Sequence, residues 1–149
     1  MTRKIAIWFL YISILIIGST NAEEKFLSLK KSKVNVRYGP SFDSKVKYIY
    51  KKIDLPIKQI DKKENFRRIV DLKNNSGWIH ISQLKKSNSI IILKNELLFK
   101  KPSKLSTPVV RLEKGRLLVV KKCENNWCNI STDNYSGWIE AKNIWGAAK

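Results

Sequence analysis

Acidic residues are scarce in this chain. Only 12 Asp and Glu stand against 30 Lys and Arg in 149 residues, for a formal net charge of +18. Histidine occurs once, as His80, and cysteine twice, as Cys123 and Cys128. Each shortage excludes a chemistry. No closely spaced carboxylate pair is present to do general acid–base work. Two thiols and one distant imidazole are short of the four ligands a structural zinc takes. The six glycines form no phosphate-cradling loop. His80 with Ser82 is the pairing from which catalysis could be argued. It would need hydrogen-bond contact and a third group behind the imidazole, and no nucleophile motif surrounds it. The expectation is no catalytic residue, no metal, no cofactor and no enzyme.

Long hydrophobic runs are also missing, except at the start. There Met1-Thr2-Arg3-Lys4 precedes fourteen uncharged residues, Ile5 to Gly18, and then Ser19-Thr20-Asn21-Ala22. A basic start, a short apolar middle and small residues before a cut are the three parts of a secretory signal. The apolar stretch is shorter than the roughly 20 residues of a spanning helix. Residues 1–22 are therefore read as a signal peptide, which makes the rest periplasmic or otherwise exported. Left uncleaved, this segment would be the only membrane contact. Without Arg3 and Lys4 the balance is 28 basic residues to 12 acidic, a net charge of +16. Such a charge calls for anionic company. Outside the cytoplasm that means anionic cell-wall material or an envelope protein rather than nucleic acid. The lysines are scattered among Asn, Ile and Ser, a pattern that a lysine-biased composition also produces.

Beyond Ala22 the helical period is hard to find. Short runs rich in Ile, Val, Tyr and Trp alternate with turn residues, the mark of short strands. Strands are predicted over 34–36, 46–50, 56–61, 66–71 and 77–79, and again over 90–93, 97–99, 109–112, 117–123, 127–131 and 137–139. The set repeats. Ser76-Gly77-Trp78-Ile79 returns as Ser136-Gly137-Trp138-Ile139, and Glu64-Asn65-Phe66 returns as Asn125-Asn126-Trp127. The period is about 60 residues, with one residue of slippage between the aromatic and the Gly-Trp. Lys85-Lys86-Ser87-Asn88-Ser89 serves as a short connector between module one, 23–85, and module two, 86–149. The predicted class is all-β: two tandem small barrels or sandwiches, with closure hiding the sheet edges.

Val34-Asn35-Val36-Arg37-Tyr38-Gly39-Pro40-Ser41 resembles the opening motif of bacterial Src-homology-3-like (SH3b) domains. Phe66, Gly77-Trp78-Ile79 and the following His80-x-Ser82-x-Leu84 complete the pattern in module one. Module two keeps the later half and carries Leu97-Leu98-Phe99-Lys100-Lys101-Pro102-Ser103 in place of the opening motif. The resemblance implies two tandem barrels in an exported, non-catalytic binding protein, expected to be monomeric. Peptidoglycan or a wall-associated component is the implied ligand; a periplasmic protein–protein adaptor without a wall ligand is the alternative. The aromatic-acidic motif behind proline-helix recognition is not recognisable here, so that activity is not implied.

Arg37 and Tyr38 have two readings. They pin a strand-to-turn loop, with Gly39 supplying a dihedral other residues resist, or they rim a ligand groove. In the groove Arg37 would grip a carboxylate and Tyr38 would offer a flat face. Trp78 belongs to the same candidate ligand-binding set. A Trp repeated in both modules, as Trp78 and Trp138, also fits a core position, as do Phe66 and Trp127. Trp145 has no counterpart in module one and is the candidate for packing between modules. Cys123 and Cys128 flank Glu124-Asn125-Asn126-Trp127, which sets them opposite each other on a hairpin as a structural disulfide. The matching positions in module one are Lys62 and Arg67.

Overall fold

Four strands of this chain bury every second side chain. Val34 and Val36 point inward while Asn35 and Arg37 point out. Gly77 and Ile79 point inward while Trp78 and His80 point out. The computed structural model describes residues 24–146; the signal peptide read over 1–22 lies outside them. Module one contains β1 (Phe26–Leu29), β2 (Val34–Arg37), β3 (Val46–Tyr50), β4 (Pro56–Lys63), β5 (Phe66–Val70), β6 (Ser76–His80), a 3-10 turn (Ile81–Gln83) and β7 (Leu84–Lys86). Module two contains β8 (Ser89–Ile92), β9 (Glu96–Phe99), β10 (Pro108–Leu112), β11 (Leu117–Glu124), β12 (Trp127–Ser131), β13 (Ser136–Glu140) and β14 (Ile144–Gly146). Among the described residues no helix is long and apolar enough to cross a membrane.

Each module is one antiparallel seven-stranded sheet. The strand order is β3-β2-β6-β5-β4-β1-β7 in the first and β10-β9-β13-β12-β11-β8-β14 in the second. The two orders are the same, shifted by seven strands. Each sheet rolls around its own core, so that side chains from both edge strands reach it. In module one Leu29, Val34, Val36, Ile57, Ile69, Ile79 and Leu84 form that core, with Tyr48 and Tyr50 of β3 against it. In module two it is built from Ile90, Ile92, Leu98, Leu118, Ile130 and Ile139 with Cys128. The eleven predicted strands all exist. Three more, β1, β7 and β14, were not predicted; β3 and β7 remain the edges of the first sheet and β10 and β14 those of the second.

The repeated Ser-Gly-Trp-Ile has a steric reason. Strand β9 crosses β13 at Trp138, where a Cβ on Gly137 would stand 2.6 Å from the Phe99 carbonyl oxygen and 2.9 Å from Leu98 Cγ. Gly77 is pressed the same way by Val36 and the Arg37 carbonyl. The slippage in the period falls in the loop before this motif, which spans 71–75 in module one and 132–135 in module two.

The modules touch through residues with no equivalent across the repeat. The Trp145 indole N–H donates to the Pro56 carbonyl at 3.1 Å, and its ring meets Phe26 edge-on at 5.1 Å. The Ser28 hydroxyl joins those of Ser87 at 2.9 Å and Ser89 at 2.6 Å, and Ser89 donates onward to the Asp54 carbonyl. These three serines are the buried polar residues among those described, and their mutual bonds offset the cost of burying hydroxyls.

Candidate ligand-binding face

Arg37 ends β2, and the chain loops out over 38–45 before returning as β3. Backbone bonds close the loop, Tyr38 N–H to the Lys45 carbonyl at 3.1 Å and Ser44 N–H to the Ser41 carbonyl at 3.3 Å. Arg37 Nη1 then donates to two loop carbonyls, Phe42 at 3.0 Å and Ser44 at 2.8 Å. This fastens the loop against the outer face of the sheet. Holding the loop uses one of the three guanidinium nitrogens. Gly39 does not adopt the left-handed backbone that the sequence reading gave it. Its missing Cβ instead leaves room for Ser44 Oγ, 2.7 Å from where that carbon would be.

The same face carries the candidate set. Arg37, Trp78 and Arg68 are neighbours across β2, β6 and β5 and form one outward row. Trp78 is half-buried and lies opposite the core, as does Trp138. The core reading of these two residues is therefore corrected: the inward positions of their strands belong to Gly and Ile. Phe66 is buried, but on the outer face, under Phe42 at 5.2 Å and beside His80 at 5.1 Å. Trp127 is half-buried and meets Phe99 at 5.9 Å. Tyr38 is 66% exposed and Phe42 61%. The Lys47 ammonium sits 5.6 Å from the Tyr38 ring centre and donates to the Ser76 carbonyl. Exposed aromatic rings with cations beside them suit a ligand that has flat or apolar faces and carboxylates.

His80 and Ser82 do meet. His80 Nδ1 lies 2.8 Å from Ser82 Oγ and accepts from the Ser82 backbone N–H at 3.3 Å. This is the cap of the 3-10 turn. Among the described residues no carboxylate bonds to the imidazole, and no group of three or more His, Cys, Asp or Glu could hold a metal.

Module two repeats the corner with its chemistry exchanged. Its loop, 100–107, closes in the same way, Lys100 N–H to the Thr107 carbonyl and Ser106 N–H to the Ser103 carbonyl. Phe99 holds the strand place of Arg37, Lys104 the loop place of Phe42, and Glu140 the place of His80. The cation and the aromatic have traded positions. Lys104 bonds Glu140 at 3.2 Å, and Lys142 bonds it at 2.7 Å. The Lys142 hydrogen bond, helped by Lys104, holds the Glu140 carboxyl below the usual carboxylate range. An open cavity of about 530 Å³ lies here, between Leu97, Phe99, Arg111 and the Lys104–Glu140 pair. The sequence reading did not find this corner, nor Phe42, Lys47 and Arg68. Aligning the two loops at a spacing of 62 residues would have found it.

Cys123 and Cys128 are direct partners across β11 and β12, with Cα atoms 4.0 Å apart and their sulfurs bonded. Asn125 and Asn126 turn the hairpin between them, both with positive φ, as a two-residue turn of this hand requires. Lys62 and Arg67 hold the same register across β4 and β5.

The profile of the bacterial SH3 domain matches residues 30–86 and 94–146. A search of curated protein sequences finds no match. Among solved structures the chain is similar to NlpC2 from Trichomonas vaginalis, at 11% identity, a TM-score of 0.38, and 83% of this chain covered against 48% of that one. It is similar to NlpC1 from the same organism at 12% identity and a TM-score of 0.38, with 87% of this chain and 48% of that one covered. The chain thus spans about half the length of both. The family profile falls on the two seven-stranded sheets in turn, and the chain belongs to the bacterial SH3 domain family, with two copies in tandem.

Proposed function

We propose that the protein is an exported, non-catalytic binding protein that recognises cell-wall peptidoglycan or a wall-associated component through the outer face of module one. The observation that carries this reading is the exposed pair Tyr38 and Phe42 on a loop fastened by Arg37, beside the Arg37–Trp78–Arg68 row. A fastened loop presents its rings at little entropic cost on binding. The flanking cations supply partners for carboxylates. Membership of the bacterial SH3 domain family, the signal peptide read over 1–22 and the positive charge support the same reading. The test is retention of the two-module protein on purified wall sacculi, beside capture from a wall-free envelope extract. Retention on sacculi at moderate salt is expected.

Edge strand β3 favours the adaptor alternative, because it presents exposed Val46 and Ile49 along an unpaired edge. An extended segment of an envelope protein could add to such an edge. Specific capture from the wall-free extract, with none on sacculi, would make this the better account.

A further inference from the structure

We propose that the corner of module two is a second binding site, for a small ligand that carries a single carboxylate on an apolar or flat body. It is built from other residues than the module-one face and does not depend on the wall-binding reading. The cavity exists because of the exchange between modules. In module one Phe42 folds onto Phe66 and His80. In module two the loop residue in that place is Lys104, which reaches sideways to Glu140 and leaves the space over Phe99 open.

Charge sets the ligand class. The cavity is lined by the cations Lys104, Arg111 and Lys142 and the acids Glu96 and Glu140, an excess of one positive charge. Both acids are already engaged: Glu140 by the two lysines, and Glu96 by the Asn143 side-chain amide at 2.9 Å. Arg111, exposed on β10, makes no ion pair with a described residue. A ligand carboxylate therefore meets Arg111, whose fork donates to two oxygens. Half-buried Phe99 and exposed Leu97 form the apolar wall for the ligand body. Leu105, next to Lys104 on the loop, is 98% exposed. An almost fully exposed leucine one residue from a lining side chain gains contact where a ligand body extends far enough to cover it.

The test is an amide-resolved NMR titration of the two-module protein with N-acetyl-alanyl-alanine and with its C-terminal amide, which lacks the charge. The acid is expected to shift the signals of Phe99, Lys104, Leu105 and Arg111 saturably. The amide should bind about tenfold more weakly, as loss of a charge-assisted bond implies. Arg111→Gln, on an exposed strand position, should weaken the acid to the level of the amide and leave the module-one signals in place. Equal binding of acid and amide, unsaturable shifts spread over the surface lysines, or an Arg111→Gln variant that binds the acid like the parent would each overturn the proposal.

Discussion

Replacing Trp145 by Ala removes a contact that joins the two modules. The side chain is half-buried, so about 100 Å² of a ring that can bury 150–250 Å² leaves apolar surroundings. At roughly 25 cal/mol per Å² this costs about 2.5 kcal/mol. Loss of the bond to the Pro56 carbonyl adds about 1 kcal/mol. Loss of the edge-on contact with Phe26 adds about 0.5–1 kcal/mol. The total, about 4 kcal/mol, lies within the range of Trp truncations in folded proteins. Trp145→Phe keeps the ring packing and loses the N–H, so it should cost only about 1 kcal/mol. The assay is urea unfolding of parent and variants followed by circular dichroism, with hydrogen exchange reporting each module separately. The parent should unfold as one cooperative unit, and Trp145→Ala should lower stability and let module two open before module one. A loss under about 1 kcal/mol for Trp145→Ala, with both modules still unfolding together, would refute the claim that this residue couples them.

Other outcomes follow from single observations. Gly137→Ala should destabilise module two by about 2–3 kcal/mol in urea unfolding, because the new methyl would press on the Phe99 carbonyl and Leu98. Cys123→Ser with Cys128→Ser should cost about 2 kcal/mol by the same assay yet leave the fold, since Lys62 and Arg67 occupy the same register in module one without a bridge. Tyr48 and Tyr50 should ionise above the ordinary tyrosine range in an ultraviolet titration. Burial pushes both hydroxyls up, and Tyr50 also donates to Asp71 at 3.0 Å. Their neutral forms are favoured by folding, so the stabilisation holds below the unfolded tyrosine value and is lost as pH rises above it. Tyr50→Phe should remove the Tyr50 share of that high-pH component.

The strands that could be read in the sequence are those that alternate. Val34–Arg37 and Trp127–Ser131 bury residues at strand spacing, and both lie inside their sheets. The strands that escaped are short and owe their form to pairing. Leu84-Lys85-Lys86 contains one inward residue and two lysines, and Ile144-Trp145-Gly146 is three residues long. Each is a strand because β1 or β8 lies beside it. The disulfide and the inter-module role of Trp145 were legible, because each is a departure from the repeat at a known position. For Trp78, also placed in the ligand-binding set, and for Trp138, size and repetition suggested a core position. Strand alternation sends them outward, since the neighbouring Gly must face the crossing strand. The exchanged corner of module two was hidden because Arg37 and Phe42 match Phe99 and Lys104 only as a pair, never residue by residue.

Tyr38 offers the most direct test of the wall-binding claim. Its ring is exposed and stacks only on the Lys47 ammonium, so Tyr38→Ala should leave the fold intact. Arg37→Ala would instead release the loop it fastens. Parent and Tyr38→Ala should be sedimented with purified sacculi across a salt series that passes ordinary ionic strength, where exposed charges are screened over about 8 Å. The account expects the parent to stay bound at moderate salt and the variant to be released. Binding that vanishes with salt and is indifferent to Tyr38 would reduce the interaction to nonspecific charge attraction and contradict the account.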